Sequence, residues 1–416
     1  MRYPLKLPMK IFYGWRIVVA AGSLQFLQSL LLNQSFGVYL AVLVEDRGWS
    51  KTSIAGAAAL KSTEAAILGP VLGWAVDRFG SQVIARTGIV MFGIGFMLLS
   101  RIDTILEFYA AFVVIALGSS MFSNSIVGVA IIHWFEKRRA RALSALQFGS
   151  AIGGLFVFLV AASIQAYGWR ATALGSGIIA ILIGWPVARV IRSRPEDLGE
   201  TVDGIPPAPK DDTRPATESL RQGLSVREAL RTSAFWLMAF GHAFALLAVT
   251  AVNVHAVTHI KEGLGYSLSM ATLVFTLVTV GQFTGVILGW VIGDRFQKRL
   301  VTSGCMLMHS AGLLMLTYAT GPVVLAISAL VHGLAWGLRG PFMQAMRADY
   351  FGRGSIGMII GLSALIMVFG QIGGPIIAAV FADWTGNYRM GFTILALLAG
   401  VGSLFFWMAK PPQQTA

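Results

Sequence analysis

Arg339 is the residue best placed to do chemistry. It lies in the apolar stretch 322–348 with His332, Trp336 and Met343, at intervals of four, three and four residues. That spacing puts all four on one helical face. A guanidinium can hold a carboxylate through two parallel hydrogen bonds, and Trp336 offers a wall beside it. Gly340-Pro341 follows directly and is expected to break the helix and free backbone groups. Two readings of Arg339 stand: an anion contact, or a structural group bonding those freed carbonyls. Lys61 and Glu64 are three apart and share a face. They form either a self-neutralising pair, or a gate or proton carrier built on Glu64. Histidine is a second proton group, because its charge changes near neutral pH. His242 and Asn253 share a face three turns apart, His255 and His259 lie further along, and His309 is in the next apolar stretch but one. Uncharged candidates are Gln25, Ser29 and Asn33 at intervals of four, Ser120, Ser123 and Asn124, and Gln282 and Gln371. Each is as well explained by hydrogen bonding between helices.

Other chemistries are missing their residues. No HExxH, G-x-S-x-G or P-loop pattern occurs, and no carboxylate dyad stands out. The one cysteine, Cys305, allows neither a disulfide framework nor a thiolate metal cluster. The expectation is a protein that is not an enzyme, with no metal and no cofactor.

The elements that position these groups are membrane-length helices. Of 416 residues 56% are hydrophobic and only 12% charged, against about 25% charged in a soluble domain. A crossing takes about 20 apolar residues. Twelve spans satisfy that, roughly at 15–42, 52–76, 83–100, 106–133, 140–166, 170–192, 233–260, 268–293, 299–319, 322–348, 355–382 and 388–409. Between spans 6 and 7 lies a polar linker, 193–232, holding Pro195, Pro206, Pro207, Pro209 and Pro215. Within it Ser225 to Arg231 reads as a short amphipathic helix. The first span is too long for the core of a cleavable signal. The net charge of +13 has no basic stripe with interleaved aromatics, so nucleic acid is not expected as a partner. With both termini placed in the cytoplasm, 24 of the 32 Lys and Arg fall on that side. Six fall outside (Arg47, Lys51, Arg101, Arg170, Lys261 and Arg389), and Lys61 and Arg339 fall within spans. This is the positive-inside pattern.

The second half repeats the first at an offset of about 217 residues. Gly73-Trp74 returns as Gly289-Trp290, Asp77-Arg78-Phe79 as Asp294-Arg295-Phe296, and Trp134-Phe135 as Tyr350-Phe351. Such a unit is too long for a solenoid, whose repeats run about 20–50 residues. It suits two pseudo-symmetric six-helix bundles with a site between them. The bundles are expected at 1–192 and 233–416, joined by the linker 193–232. Asp77 and Asp294, with Arg78 and Arg295, are expected to tie helix ends together across the halves.

Gly73-Trp74-Ala75-Val76-Asp77-Arg78-Phe79-Gly80, with Arg86 beyond it, resembles the loop motif of the major facilitator superfamily, and Gly289 to Arg295 is its second copy. Phe12-Tyr13-Gly14-Trp15-Arg16, Trp134 to Ala142 and Arg194-Pro195-Glu196-Asp197-Leu198-Gly199 are similar to segments of its bacterial monocarboxylate transporter and oxalate/formate antiporter group. Where those relatives carry charges in spans 8 and 11, this chain carries Gln282 and Gln371. The resemblance implies a bacterial inner-membrane carrier working by alternating access, with span 10 lining its cavity. The expected cargo is a small organic anion, a monocarboxylate first, moved with a proton by a monomer in the lipid bilayer. An anion exchanger or an efflux carrier for other amphipathic solutes is the alternative.

Overall fold

The computed structural model describes residues 12–49, 64, 67–205 and 223–412. Among them ten helices are long and apolar enough to cross a bilayer. One, Arg139–Val190, has 52 residues. At 1.5 Å per residue it is more than twice as long as a hydrocarbon core of about 30 Å, so it is two crossings. Gly168 divides it, with φ 78° and ψ 160°, a backbone conformation only glycine adopts at low cost. Span 5 thus ends, and span 6 begins, at Gly168. Span 2 completes the twelve: of it, residue 64 and the helix 67–79 are described.

The other spans follow the hydropathy reading. Span 1 is Tyr13–Gln28, a π-helical turn Ser29–Asn33, and Phe36–Arg47. Span 3 is Ser81–Leu99, and span 4 is Ile105–Met121 plus Asn124–Trp134. Spans 7 to 12 are Ser233–Thr258, Leu268–Ile292, Lys298–Thr317, Pro322–Phe351, Ile356–Thr385 and Arg389–Met408. The short helix in the linker is Val226–Arg231, capped by Ser225, whose hydroxyl accepts from the Glu228 N–H.

Spans 1–6 gather around buried Phe92, Phe96, Trp134 and Phe135, and spans 7–12 around buried Phe235, Phe351, Phe392 and Phe406. Between lipid-soluble helices close approach does the work that the hydrophobic effect does in water. Gly337 shows it: a Cβ there would sit 1.9 Å from the Gln282 carbonyl oxygen. Span 10 therefore lies backbone to backbone on span 8.

Span 4 is broken at Phe122 and Ser123, which frees carbonyls inside the bundle. Gln25 Nε2 donates to the Phe122 carbonyl at 2.6 Å, and Gln28 Nε2 to Ser119 O at 2.9 Å. Ser29 Oγ donates to Ser150 O. Gln25 and Ser29 are thus helix glue, one of the two readings the sequence allows.

The candidate anion site and its gate

Span 10 carries the site's charges. The helix runs through Gly340-Pro341 without interruption, so the expected break is absent. Proline removes one N–H, but the close approach of Gly337 to span 8 holds the helix in place. Pro341 leaves the Gly337 carbonyl without its helical N–H donor, but Arg339 is bonded to Met343 rather than to that carbonyl. Arg339 is 2% exposed, its Nη1 lies 3.3 Å from Met343 Sδ, and its Nε has no partner. A thioether is a weak acceptor.

Two turns further along, Arg347 is also 2% exposed. Its Nη2 lies 3.2 Å from His242 Nδ1 in span 7 and 3.9 Å from Met367 Sδ in span 11, and its Nε is unpartnered. Among the described residues neither arginine makes an ion pair. No Asp or Glu occurs in 233–258 or 322–348. A buried unpaired charge costs about 2.5–3.5 kcal/mol on insertion scales. Two guanidiniums inside one bundle therefore leave positive charge that an anion would neutralise. His332, on the Arg339 face, meets His309 of span 9, with Nδ1 atoms 3.3 Å apart. Trp336 is half-buried and packs on the apolar core of this bundle.

A second polar layer joins the halves. Asn124 Nδ2 donates to Gln147 Oε1 at 3.1 Å, and Gln344 Nε2 to the Asn124 carbonyl at 3.4 Å. Ser120 Oγ donates to Glu64 Oε2 at 3.1 Å. Lys61 lies outside the described residues. Asn33 is exposed at the end of the π-helical turn of span 1, a distortion frequent at functional sites. Gln282 and Gln371 are half-buried, and Asn253 is exposed. The structure thus gathers Arg339, His332 and His242 in the C-terminal bundle and puts Asn124 at the seam between bundles.

Two helix caps, the candidate gate, join the halves on the face where residues 12 and 412 lie. A helix N-terminus offers unpaired N–H groups and a partial positive charge. Asp77 accepts from Gly357 N at 2.9 Å and Met358 N at 2.8 Å, capping span 11. Asp294 accepts from Ala140 N at 3.0 Å and Arg141 N at 3.3 Å, capping span 5. Carboxylates and caps are both related by the 217-residue offset, so the two-fold repeat is a two-fold cap between the halves. Lys298 Nζ links Asp294 at 3.0 Å to Asp349 at 2.8 Å, and Arg139 of the other half pairs with Asp349. Arg78 and Arg295 are exposed. Arg78 shares a polar cavity of about 310 Å³ with Asp197 and Arg194 and makes no part of the cap. Burial pushes the Asp77 carboxyl above its usual range, against the pull of the two N–H donors and of Arg194.

Three groups here went unread in the sequence. Gln147 and Gln344 carry no spacing signal. Arg347 stands two residues from Asp349 near the end of span 10, so it counts as a loop charge by position. Its interval of eight from Arg339, two helical turns, is the signal that finds it.

A family model described as Major Facilitator Superfamily matches residues 22–252 and 238–416. Human monocarboxylate transporter 11 is 25% identical over 95% of this chain and 82% of its own. The MFS-type transporter pynF of Aspergillus niger is 24% identical over 92% of this chain and 87% of its own. Among solved structures, the E. coli fucose:proton symporter FucP superposes with a TM-score of 0.71 at 16% identity, covering 97% of this chain and 100% of that one.

Proposed function

The chain belongs to the major facilitator superfamily, and we propose that within it this multi-pass membrane transporter carries small organic anions by alternating access. The observation that carries the reading is the pair Arg339 and Arg347, two buried guanidiniums without a carboxylate partner among the described residues. A monocarboxylate is the smallest cargo that satisfies Arg339 bidentately. The similarity to a monocarboxylate transporter over most of the chain supports that class. Asn124, Gln147 and Gln344 supply neutral donors and acceptors at the seam where such a cargo would pass.

Proton symport is the preferred coupling. The empty site is positive and an anion neutralises it, which favours return of the loaded carrier over the empty one. Glu64, held by Ser120, is the titratable candidate of the N-terminal half. Exchange of one anion for another is the second reading, favoured by the same two guanidiniums, which stay costly whenever the site is empty. The basic excess of the face that carries the helix caps supports cytoplasmic termini, and the bacterial resemblance supports an inner-membrane carrier acting as a monomer. The bundles are assigned to 1–192 and 233–416 with the linker at 193–232.

Uptake of labelled lactate, pyruvate and benzoate into proteoliposomes tests this, with and without an inward proton gradient. Gradient-stimulated uptake that Arg339→Gln abolishes supports the reading. A folded, monodisperse wild type that takes up none of the three overturns the substrate class.

A further inference from the structure

Resting on that carrier reading, we infer that the His309–His332 pair is the group that binds the coupled proton, and that it does so together with the anion on Arg339. The two rings stand 4.6 Å apart centre to centre, nearly edge to face, with their Nδ1 atoms 3.3 Å apart. His309 is 0% and His332 3% exposed. Both Nε2 atoms lack a partner among the described residues. A void of about 10 Å³ beside His332 leaves room for at most one water.

The proton count follows from the chemistry of imidazole. Two neutral rings facing through Nδ1 share one N–H, so one donates and the other accepts. The accepting ring carries its own proton on Nε2. The donating ring has a bare Nε2 lone pair. An added proton lands on that atom, forms one N–H bond and breaks none, and leaves the Nδ1 contact in place. No other partner has to change state.

The surroundings decide when that proton is welcome. Arg339 lies two turns from His332 on the same face, and Cys305 lies on the His309 helix. Span 7 presents His242, with Arg347 bonded to it, and towards its far end His255, bonded to Pro375 O, and His259. Span 8 has no titratable side chain, and span 12 has only Arg389, at its start. No acid faces the pair from spans 7, 8, 9, 10 or 12. Every fixed charge near it is positive, so the added proton is opposed while Arg339 is empty. An anion on Arg339 cancels that opposition. At about 10 Å and an effective dielectric of about 20, each ligand changes the other's affinity roughly ten- to twentyfold.

The test measures half-saturation for lactate between pH 6 and 8, and lactate accumulation driven by an inward proton gradient, in proteoliposomes. Wild type, His309→Gln and Glu64→Gln are compared, with lactate counterflow as the check that each variant is folded and mobile. The wild type is expected to bind lactate about tenfold more tightly at pH 6. His309→Gln is expected to lose the pH dependence and the gradient-driven accumulation while still giving measurable counterflow. Full proton-driven accumulation by His309→Gln, or its loss only in Glu64→Gln, overturns the inference and leaves the carrier reading standing. A wild type that moves no carboxylate overturns both.

Discussion

A methyl group added at Gly73 tests the gate. Its Cβ would lie 2.3 Å from the Gly357 carbonyl oxygen, 2.8 Å from the carbonyl carbon and 3.0 Å from Met358 Cα. All three are backbone atoms, so no side chain can swing aside. Ordinary contact begins near 3.4 Å, so spans 2 and 11 must part by about 1 Å. Overpacking of this kind costs about 1–3 kcal/mol. The contact joins the two halves only, so opening the gate relieves it without repacking either bundle. At about 1.4 kcal/mol per tenfold, Gly73→Ala shifts the closed-to-open ratio roughly 5- to 150-fold towards open. Spin labels at Phe79→Cys and Gly354→Cys, in a Cys305→Ala background, read the gate distance by pulsed electron resonance. The parent is expected to show one short distance, and Gly73→Ala to add a longer population. Gly304→Ala, where nothing lies within 4 Å, serves as control. A Gly73→Ala distribution identical to the parent refutes the reasoning.

The same labels read three states of Asp77. Asp77→Ala removes the acceptor of two N–H groups and favours the open gate, whereas Asp77→Asn, an uncharged isostere of the protonated carboxyl, keeps one acceptor and keeps the gate closed. Because burial raises the Asp77 pKa in the closed gate, that state holds a proton more readily than an open, solvated one. The closed fraction therefore rises as pH falls through the raised value, and Asp77→Asn abolishes that response. Gly168→Ala costs about 1–2 kcal/mol through its positive φ alone, since open space surrounds its Cβ; a lower melting temperature with intact substrate affinity is expected. Arg347→Gln, losing charged hydrogen bonds worth about 1.5–3 kcal/mol, weakens anion half-saturation about tenfold or more.

The scaffold was legible because its determinants are local or repeated. Apolar length marks the spans, and Asp77 and Asp294 announce the gate by recurring between the same pairs of helices. Helix rotation is not local. Whether Arg339 points at span 9, span 7 or the seam depends on how Gly333 and Gly337 let span 10 settle onto span 8, which spacing along one helix does not record. For the same reason His309 and His332, 23 residues apart on different spans, read as separate histidines and meet only in three dimensions. Gly340-Pro341 misled in the opposite direction: the local signal says break, and packing of Gly337 on span 8 overrides it. Gln25 and Asn124 look alike in sequence. One is spent on the Phe122 carbonyl, and the other reaches the seam.

Counterflow of labelled lactate in proteoliposomes, compared between wild type and Arg339→Gln in matched preparations, tests the central claim most directly. It needs no gradient and isolates anion recognition from coupling. The account predicts saturable counterflow in the wild type and a loss of at least tenfold in Arg339→Gln. Equal counterflow in the two proteins would contradict it.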